Sequence, residues 1–363
     1  MISRKITGIL VDDSVFDHPY SRYVCSQFPD AELRSLNTPS IEPLNISWRR
    51  NKCTLHLTTF PGSFLKDCPA TSPSYLCCQY RILSPVVGCP LDCSYCILQH
   101  YIGSQPIRVY VNWAEMLDQI RYYAREYPNR LIRFGSGELA DSLALEPELG
   151  MVPRWISAFA DIPNAILELK TKTADVDWLA IIPHRGRTVI GWSVNPARIV
   201  EREERGAAPV EARIQAAARV AGWGYKVAFH FDPILRVEGW ESQYRELIGL
   251  ICGAVSARSV AWVSLGSLRF PPQLREIIRR RFPKSRILDG EWVIGMDGKH
   301  RLIKPLRIEL FRKVHQWLRE GWGDDICIYL CMEGAEVWRK SMGWEPMSRD
   351  EVERGFEESW SGN

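Results

Sequence analysis

The loop Gly88-Cys89-Pro90-Leu91-Asp92-Cys93-Ser94-Tyr95-Cys96 carries three cysteines at Cys-x3-Cys-x2-Cys spacing, with an aromatic residue before the last. Thiolates this close in sequence can converge on one soft metal centre, and cysteine thiolates are the usual ligands of iron–sulfur clusters. A cubane [4Fe–4S] cluster has four irons, whereas Cys89, Cys93 and Cys96 supply three thiolates. One iron would stay open to a ligand other than protein. The same residues could instead form part of a zinc site completed by Cys77 or Cys78, or be buried free thiols. Zinc sites usually come as paired Cys-x2-Cys or Cys/His groups, and no second pair follows at that spacing. The spacing therefore favours the iron–sulfur reading.

The chain around this loop has 363 residues, 46% hydrophobic and 25% charged, the composition of a soluble globular protein with room for one large α/β domain and additions. No apolar run reaches membrane-spanning length. The start, Met1 to Asp13, has a short apolar stretch closed by two acids and reads as a strand rather than a signal peptide. Eleven scattered cysteines in so long a chain argue against a disulfide scaffold and for a reducing, cytoplasmic setting. A net charge of +3 is too small to diagnose nucleic-acid binding by itself.

Three regions are expected. Residues 1–74 form an N-terminal segment. It holds the Asn45–Lys52 stretch, basic with Trp48, an alternating strand Thr54–Thr58, and a Pro/Ser/Thr-rich linker from Pro69 to Ser74. Residues 75–289 alternate strand-like and helix-like stretches. The strands are Ile107–Val111, Leu131–Phe134, Ala165–Lys172, Thr188–Val194, Lys226–Phe231 and Ser259–Leu265. Helices are expected over Trp113–Arg125, from about Ala174, over Glu211–Ala221 and over Tyr244–Cys252. Repeated β/α units imply parallel strands under covering helices. Residues 290–363 hold a hairpin turning at Asp297-Gly298, a helix over Leu306–Arg319, and a short strand at Ile326–Leu330.

The cysteine loop resembles the radical SAM superfamily, and the chain from about Tyr75 to Asp289 resembles its spore photoproduct lyase family. Cys93-Ser94-Tyr95-Cys96-Ile97-Leu98-Gln99 is similar to that family's cluster loop. Gly103-Ser104-Gln105-Pro106, Tyr110-Val111-Asn112, Thr171-Lys172, Trp192-Ser193-Val194-Asn195, Glu238-Gly239-Trp240 and Leu268-Arg269-Phe270 follow in the family's order. The resemblance implies an incomplete (β/α) barrel of the radical SAM type with N-terminal and C-terminal additions. It also implies a [4Fe–4S] cluster whose open iron chelates S-adenosyl-L-methionine, and reductive cleavage of that molecule to a 5′-deoxyadenosyl radical. A reducing donor such as flavodoxin or ferredoxin would supply the electron. In the lyase the substrate is a thymine lesion of DNA. Two positions depart from the pattern: the lyase's hydrogen-returning cysteine aligns with Glu138, and the tyrosine after its last cluster cysteine is Ile97 here. Tyr95 is retained, as half of an aromatic relay.

The resemblance also assigns site residues. Ser136-Gly137-Glu138 is like the turn that binds the methionine ammonium, where small residues allow close backbone approach and a carboxylate pairs with an ammonium. A plain strand-to-helix turn capped by an acid is the alternative. Lys172 aligns with a lysine that contacts the cofactor's carboxylate. Ser193 and Asn195 align with ribose or methionine contacts, or else serve a turn before Pro196. From the residues alone, His230 and Asp232 share one face of a strand and are candidates for substrate contact or proton transfer, with a structural His–Asp pair as the alternative. Arg269 could meet a phosphate or carboxylate, or make a surface salt bridge. The basic stretch Arg275, Arg279, Arg280, Arg281, Lys284 and Arg286 suggests a nucleic-acid groove, against a solvated helix face.

The expected function is a radical SAM enzyme acting on damaged DNA. The alternatives are a radical SAM enzyme for an RNA base, peptide or small metabolite, and a metal-binding regulatory protein without turnover.

Overall fold

A computed structural model describes residues 6–37, 47–68 and 74–361. Residues 1–5 of the expected first strand, 45 and 46 of the basic aromatic stretch, and 69–73 of the expected linker lie outside the described residues.

The largest sheet has eight strands in the order Leu65–Asp67, Arg81–Leu83, Ile132–Gly135, Ala165–Thr171, Thr188–Ser193, Lys226–Ile234, Val260–Ser267, Ile328–Leu330. All neighbours from Arg81–Leu83 onward are parallel, and Leu65–Asp67 adds an antiparallel edge. Spatial order follows chain order, so the crossovers all progress one way and the sheet curls into an open half-barrel. The strands are covered on both faces, which is why Val260–Ser267 is buried along its whole length and reads as an apolar run. The incomplete α/β barrel expected from the sequence is the observed architecture.

The covering helices present apolar stripes. In Val152–Phe159 the buried residues Val152, Trp155, Ile156 and Phe159 recur at helical spacing on one side. Val210–Gly222 and Lys304–Trp322 pack on the later strands, and Trp240–Ala254 packs against both of these helices. Trp192, Phe229 and Trp262 are among the largest fully buried side chains.

Four local expectations are corrected. The helix expected from Ala174 is only a 3-10 turn, Asp177–Ile181. The Thr171 and Thr173 hydroxyls accept from the Thr173 and Asp175 amides at 3.0 and 3.2 Å, and such local bonds compete with a helix. The strand expected over Lys226–Phe231 continues to Ile234, with a register shift between Phe231 and Ile234 absorbing Pro233. Ile107–Tyr110 lies outside the barrel, in a second sheet ordered Glu32–Leu36, Gly8–Asp12, Thr54–Thr58, Ile107–Tyr110, Val86–Val87. The short strand Ile328–Leu330, far along the chain, instead closes the barrel's last edge beside Val260–Ser267. The hairpin pairs Trp292–Ile294 with His300–Leu302 and gains Arg269–Phe270 as a third strand. No helix among the described residues is long and apolar enough to cross a membrane.

Candidate active site

A cavity of about 310 Å³ opens at the C-terminal ends of the barrel strands, where parallel barrels gather their chemistry. Cys89, Cys93, Tyr95 and Cys96 wall one side; Gly137, Glu138, Lys172, Ser193, His230, Asp232 and Arg269 line the rest. A larger hollow of about 790 Å³ lies near the strand starts, lined by Val260, Ile328, Trp338 and Glu358 among others. It holds none of the candidate site residues and sits at the wrong end of the barrel for its chemistry.

The cysteine loop is fixed by its own backbone and by distant carboxylates. Gly88 has φ +114°, in the region glycine tolerates, and a Cβ there would press on the Ile107 backbone. Lys52 donates to the Cys89 carbonyl at 3.1 Å. Asp92–Cys93 pairs antiparallel with Glu204–Arg205, and the Ser94 amide donates to the Glu203 carbonyl at 2.8 Å. The Ser94 hydroxyl donates to the Glu203 carboxylate, and the Tyr95 hydroxyl to Glu204. Arg281 spans Asp92, at 2.8 Å, and the Gln99 side-chain oxygen, with its guanidinium 4.3 Å from the Trp48 ring centre.

The donor set suits a cluster of the expected kind. All three loop thiols face one cavity, and the charge of Cys96 acts on both Cys89 and Cys93. Burial pushes the Cys89 thiol up to about 12 and the Cys93 thiol well above its ordinary value, and a bound cation would favour the thiolate form of both. Cys78 also lines the cavity, and its charge acts on Tyr329 and Cys331. Among the described residues, no three His, Cys, Asp or Glu side chains are grouped tightly enough for a single metal ion.

The turn after Ile132–Gly135 presents Gly137 and Glu138 to the cavity, and Glu138 is already paired with Lys170 at 2.7 Å. Ser136 turns away to bond Ser142 at 2.8 Å and does not line the cavity. Asp141 staples this turn to the next strand: it accepts from Leu143, Ala144, the Thr171 hydroxyl and the Lys172 amide at 2.7–3.0 Å. Burial alone would lower the Lys172 ammonium's pKa, but Glu204 and Cys93 outweigh it and raise it. Lys172 Nζ lies 5.9 Å from the Tyr95 ring centre. Ser193 reaches the cavity; Asn195 does not. Asn195 instead holds Glu204 at 3.0 Å and accepts from the Tyr244 hydroxyl at 2.7 Å. Glu204 is buried against Arg213 at 2.6 Å. Burial would raise its pKa, yet Arg213 and Lys172 hold it at about 2.

His230 and Asp232 share the cavity face, as alternation requires, but they do not pair. His230 Nε2 lies 3.0 Å from Glu168 and Nδ1 lies 2.7 Å from the Ser264 hydroxyl. Burial lowers the imidazole's pKa despite Glu168. Asp232 forms a two-pronged pair with Arg269 at 2.9 and 3.0 Å, on the cavity wall rather than the surface. Arg279 and Arg280 are exposed and off the cavity, and Arg279 pairs with Glu276 at 3.1 Å. Arg281 and Arg286 are also paired, with Asp92 and Asp289, so the expected basic groove is partly neutralised by its own chain.

Residues not singled out from sequence complete the wall. Lys170 was legible from period-2 alternation in Glu168-Leu169-Lys170-Thr171-Lys172, which places three charges on one interior face. Asp141, Tyr80 and Cys331 gave no local signal, nor did Glu203 and Glu204, which brace the cysteine loop from off the cavity. Tyr80 fits only because residue 135 is glycine; a Cβ there would collide with the tyrosine hydroxyl.

The sequence model of one family, spore photoproduct lyase, matches residues 72–304. Spore photoproduct lyase of Bacillus subtilis is 34% identical over 236 residues, spanning 60% of this chain and 69% of that protein. The spore photoproduct lyase of Clostridium acetobutylicum is 24% identical over 293 residues, 78% of this chain and 84% of that one. A solved spore photoproduct lyase complexed with dinucleoside spore photoproduct superposes with a TM-score of 0.77 at 25% identity, over 89% of this chain and 98% of its own. A mutant lyase with bound AdoMet and the same dinucleoside gives 0.78 at 23% identity, over 90% and 98%, a likeness of fold.

Proposed function

The chain belongs to the spore photoproduct lyase family of radical SAM enzymes, and from that membership we propose that Cys89, Cys93 and Cys96 hold a [4Fe–4S] cluster beside S-adenosyl-L-methionine and that the substrate is a thymine lesion of DNA. The observation that carries this reading is the convergence of the three thiols with Glu138, Lys172, Ser193, His230, Asp232 and Arg269 on one cavity at the strand ends. When bound, the cluster and its ligand supply a carbon-centred radical by one-electron cleavage.

This chain's residues do the rest. Glu138 and Lys172 bind the ammonium and carboxylate of the methionine moiety as charge-assisted pairs, with Lys170 holding the Glu138 carboxylate in place. Ser193 orients the ribose. Tyr95, anchored to Glu204, packs beside the cluster loop and fixes its aromatic wall. His230, Asp232 and Arg269 form the opposite wall and orient the lesion. Lysine and buried aromatic side chains around the cavity exclude water, which protects a reactive radical.

A second reading, a radical SAM enzyme for another substrate, is favoured by one observation. Glu138, which the resemblance aligns with the lyase's hydrogen donor, is a carboxylate tied to Lys170 at 2.7 Å. The experiment that separates the two is anaerobic turnover of the cluster-loaded, reduced protein with a dinucleoside spore photoproduct. Thymine together with 5′-deoxyadenosine supports the first reading. 5′-Deoxyadenosine with an intact lesion supports the second.

A further inference from the structure

Repair of a thymine lesion by radical fragmentation leaves a product radical that must gain one hydrogen atom. A carboxyl group is a poor source, since its O–H bond is strong, and Glu138 is already ion-paired with Lys170. Thiols have weak bonds to hydrogen. Apart from the three loop cysteines, Cys68, Cys78 and Cys331 line the cavity. They differ in setting.

Cys331 follows the strand Ile328–Leu330, at the C-terminal end of a barrel strand, and its amide donates to the Leu265 carbonyl at 2.8 Å. Its sulfur accepts from Arg269 Nη2 at 3.2 Å, and Arg269 is the partner of Asp232. The next residue, Met332, has φ +57°, a costly conformation for a side chain of that size, and its sulfur accepts from Arg269 Nε at 3.2 Å. Arg301 holds the Met332 carbonyl at 3.0 Å, and Leu76 bonds the Glu333 carbonyl at 3.0 Å. Strain maintained by this many contacts marks a placed group rather than a passing turn. Tyr80 lines the same cavity with a buried hydroxyl that has no hydrogen-bond partner, a donor that a polar occupant would satisfy.

We propose that Cys331 is the hydrogen-atom donor to the product radical, in place of the cysteine that Glu138 has replaced. The proposal rests on the lyase-like reading above. The Cys331 S–H bond breaks and a C–H bond forms on the product, which leaves closed-shell, while Cys331 becomes a thiyl radical. One electron from the low-potential single-electron reductant that drives the reaction, and one proton from water, restore the thiol. No net charge is created in the buried wall, because the atom leaves with its electron. Burial holds the Cys331 thiol protonated, the form that can donate.

Turnover in D2O reads this out. The unaltered holoenzyme should place one deuterium per lesion repaired in the recovered thymine. Cys331→Ala and Cys331→Ser should still cleave S-adenosylmethionine but lose at least tenfold in labelled thymine, with abnormal products in its place. Cys68→Ala and Cys78→Ala should retain the label. A second measurement needs no turnover. In cluster-loaded protein without reductant, methyl methanethiosulfonate should modify Cys331 slowly, through the small thiolate fraction that burial leaves, and saturating dinucleoside lesion should slow that modification at least fivefold further. Clean thymine without deuterium, undiminished label in both Cys331 variants, or a modification rate indifferent to the lesion would overturn the assignment. No thymine from the unaltered protein would overturn the lyase-like reading itself and this assignment with it.

Discussion

Glu138 Oε1 and Lys170 Nζ meet at 2.7 Å on the cavity wall, so this carboxylate is one half of a defined ion pair. The carboxylate is half-buried and can serve a second cation. Replacing it with alanine should weaken S-adenosylmethionine binding by about tenfold to a hundredfold, the value of one charge-assisted hydrogen bond, while iron content stays unchanged. Lys172→Ala should do the same through the carboxylate end. Calorimetric titration of the cluster-loaded variants measures both, and wild-type affinity in the pair would refute the assigned contacts.

Glu204 anchors Tyr95 and neutralises buried Arg213. Its folded pKa of about 2 lies below the ordinary 4.5. A depressed carboxylate contributes stability that is present above pH 4.5 and lost as the pH falls toward 2. Glu204→Gln strands the guanidinium and should cost about 3–5 kcal/mol at neutral pH. It should also flatten the acid limb of a denaturation series between those values. An unchanged acid limb in the variant would contradict this role.

Arg281 ties Asp92, inside the cysteine loop, and Gln99, just after it, to the helix Pro272–Arg281. Arg281→Ala removes a charged hydrogen-bond pair worth roughly 2 kcal/mol. The reconstituted variant should lose iron faster in air than the unaltered protein, followed by the visible absorbance of the cluster. Equal rates would mean that the loop holds itself.

Arg279 and Arg280 stand exposed on the same helix. If they meet phosphate, reversing both to glutamate should reduce the slope of log affinity against log salt by about one unit for each phosphate left without its cation. Cleavage of S-adenosylmethionine should stay within roughly twofold, since a shift of that size is under 0.5 kcal/mol. Binding of a lesion-bearing oligonucleotide by fluorescence anisotropy tests this, and an unchanged slope would remove these residues from the interface.

The barrel was legible because its strands are apolar runs at regular spacing, and the cysteine loop because its three thiols lie close together in the chain. Lys172, Ser193, His230, Asp232 and Arg269 were legible as strand-end residues. Asn195 and Ser136 misled because position near a strand end does not fix which way a side chain turns; both bond inward to neighbours. Glu203, Glu204 and Cys331 could not be found as site residues from the sequence, as the bond that ties each to the site spans more than sixty residues of chain. The barrel placement expected for Ile107–Val111 failed for a similar reason: a parallel strand carries no sign of which sheet it will join.

Every role assigned to the cavity depends on three thiolates holding a cluster able to cleave S-adenosylmethionine. Anaerobic reconstitution with iron and sulfide, followed by reduction and chromatography for 5′-deoxyadenosine, puts this to the test. About four irons per chain are expected, together with formation of 5′-deoxyadenosine. Both should be lost in Cys89→Ala, Cys93→Ala and Cys96→Ala but in neither Cys77→Ala nor Cys78→Ala. Tightly bound zinc in place of iron, or a fourth essential thiolate at Cys77 or Cys78, would refute the open-iron cluster.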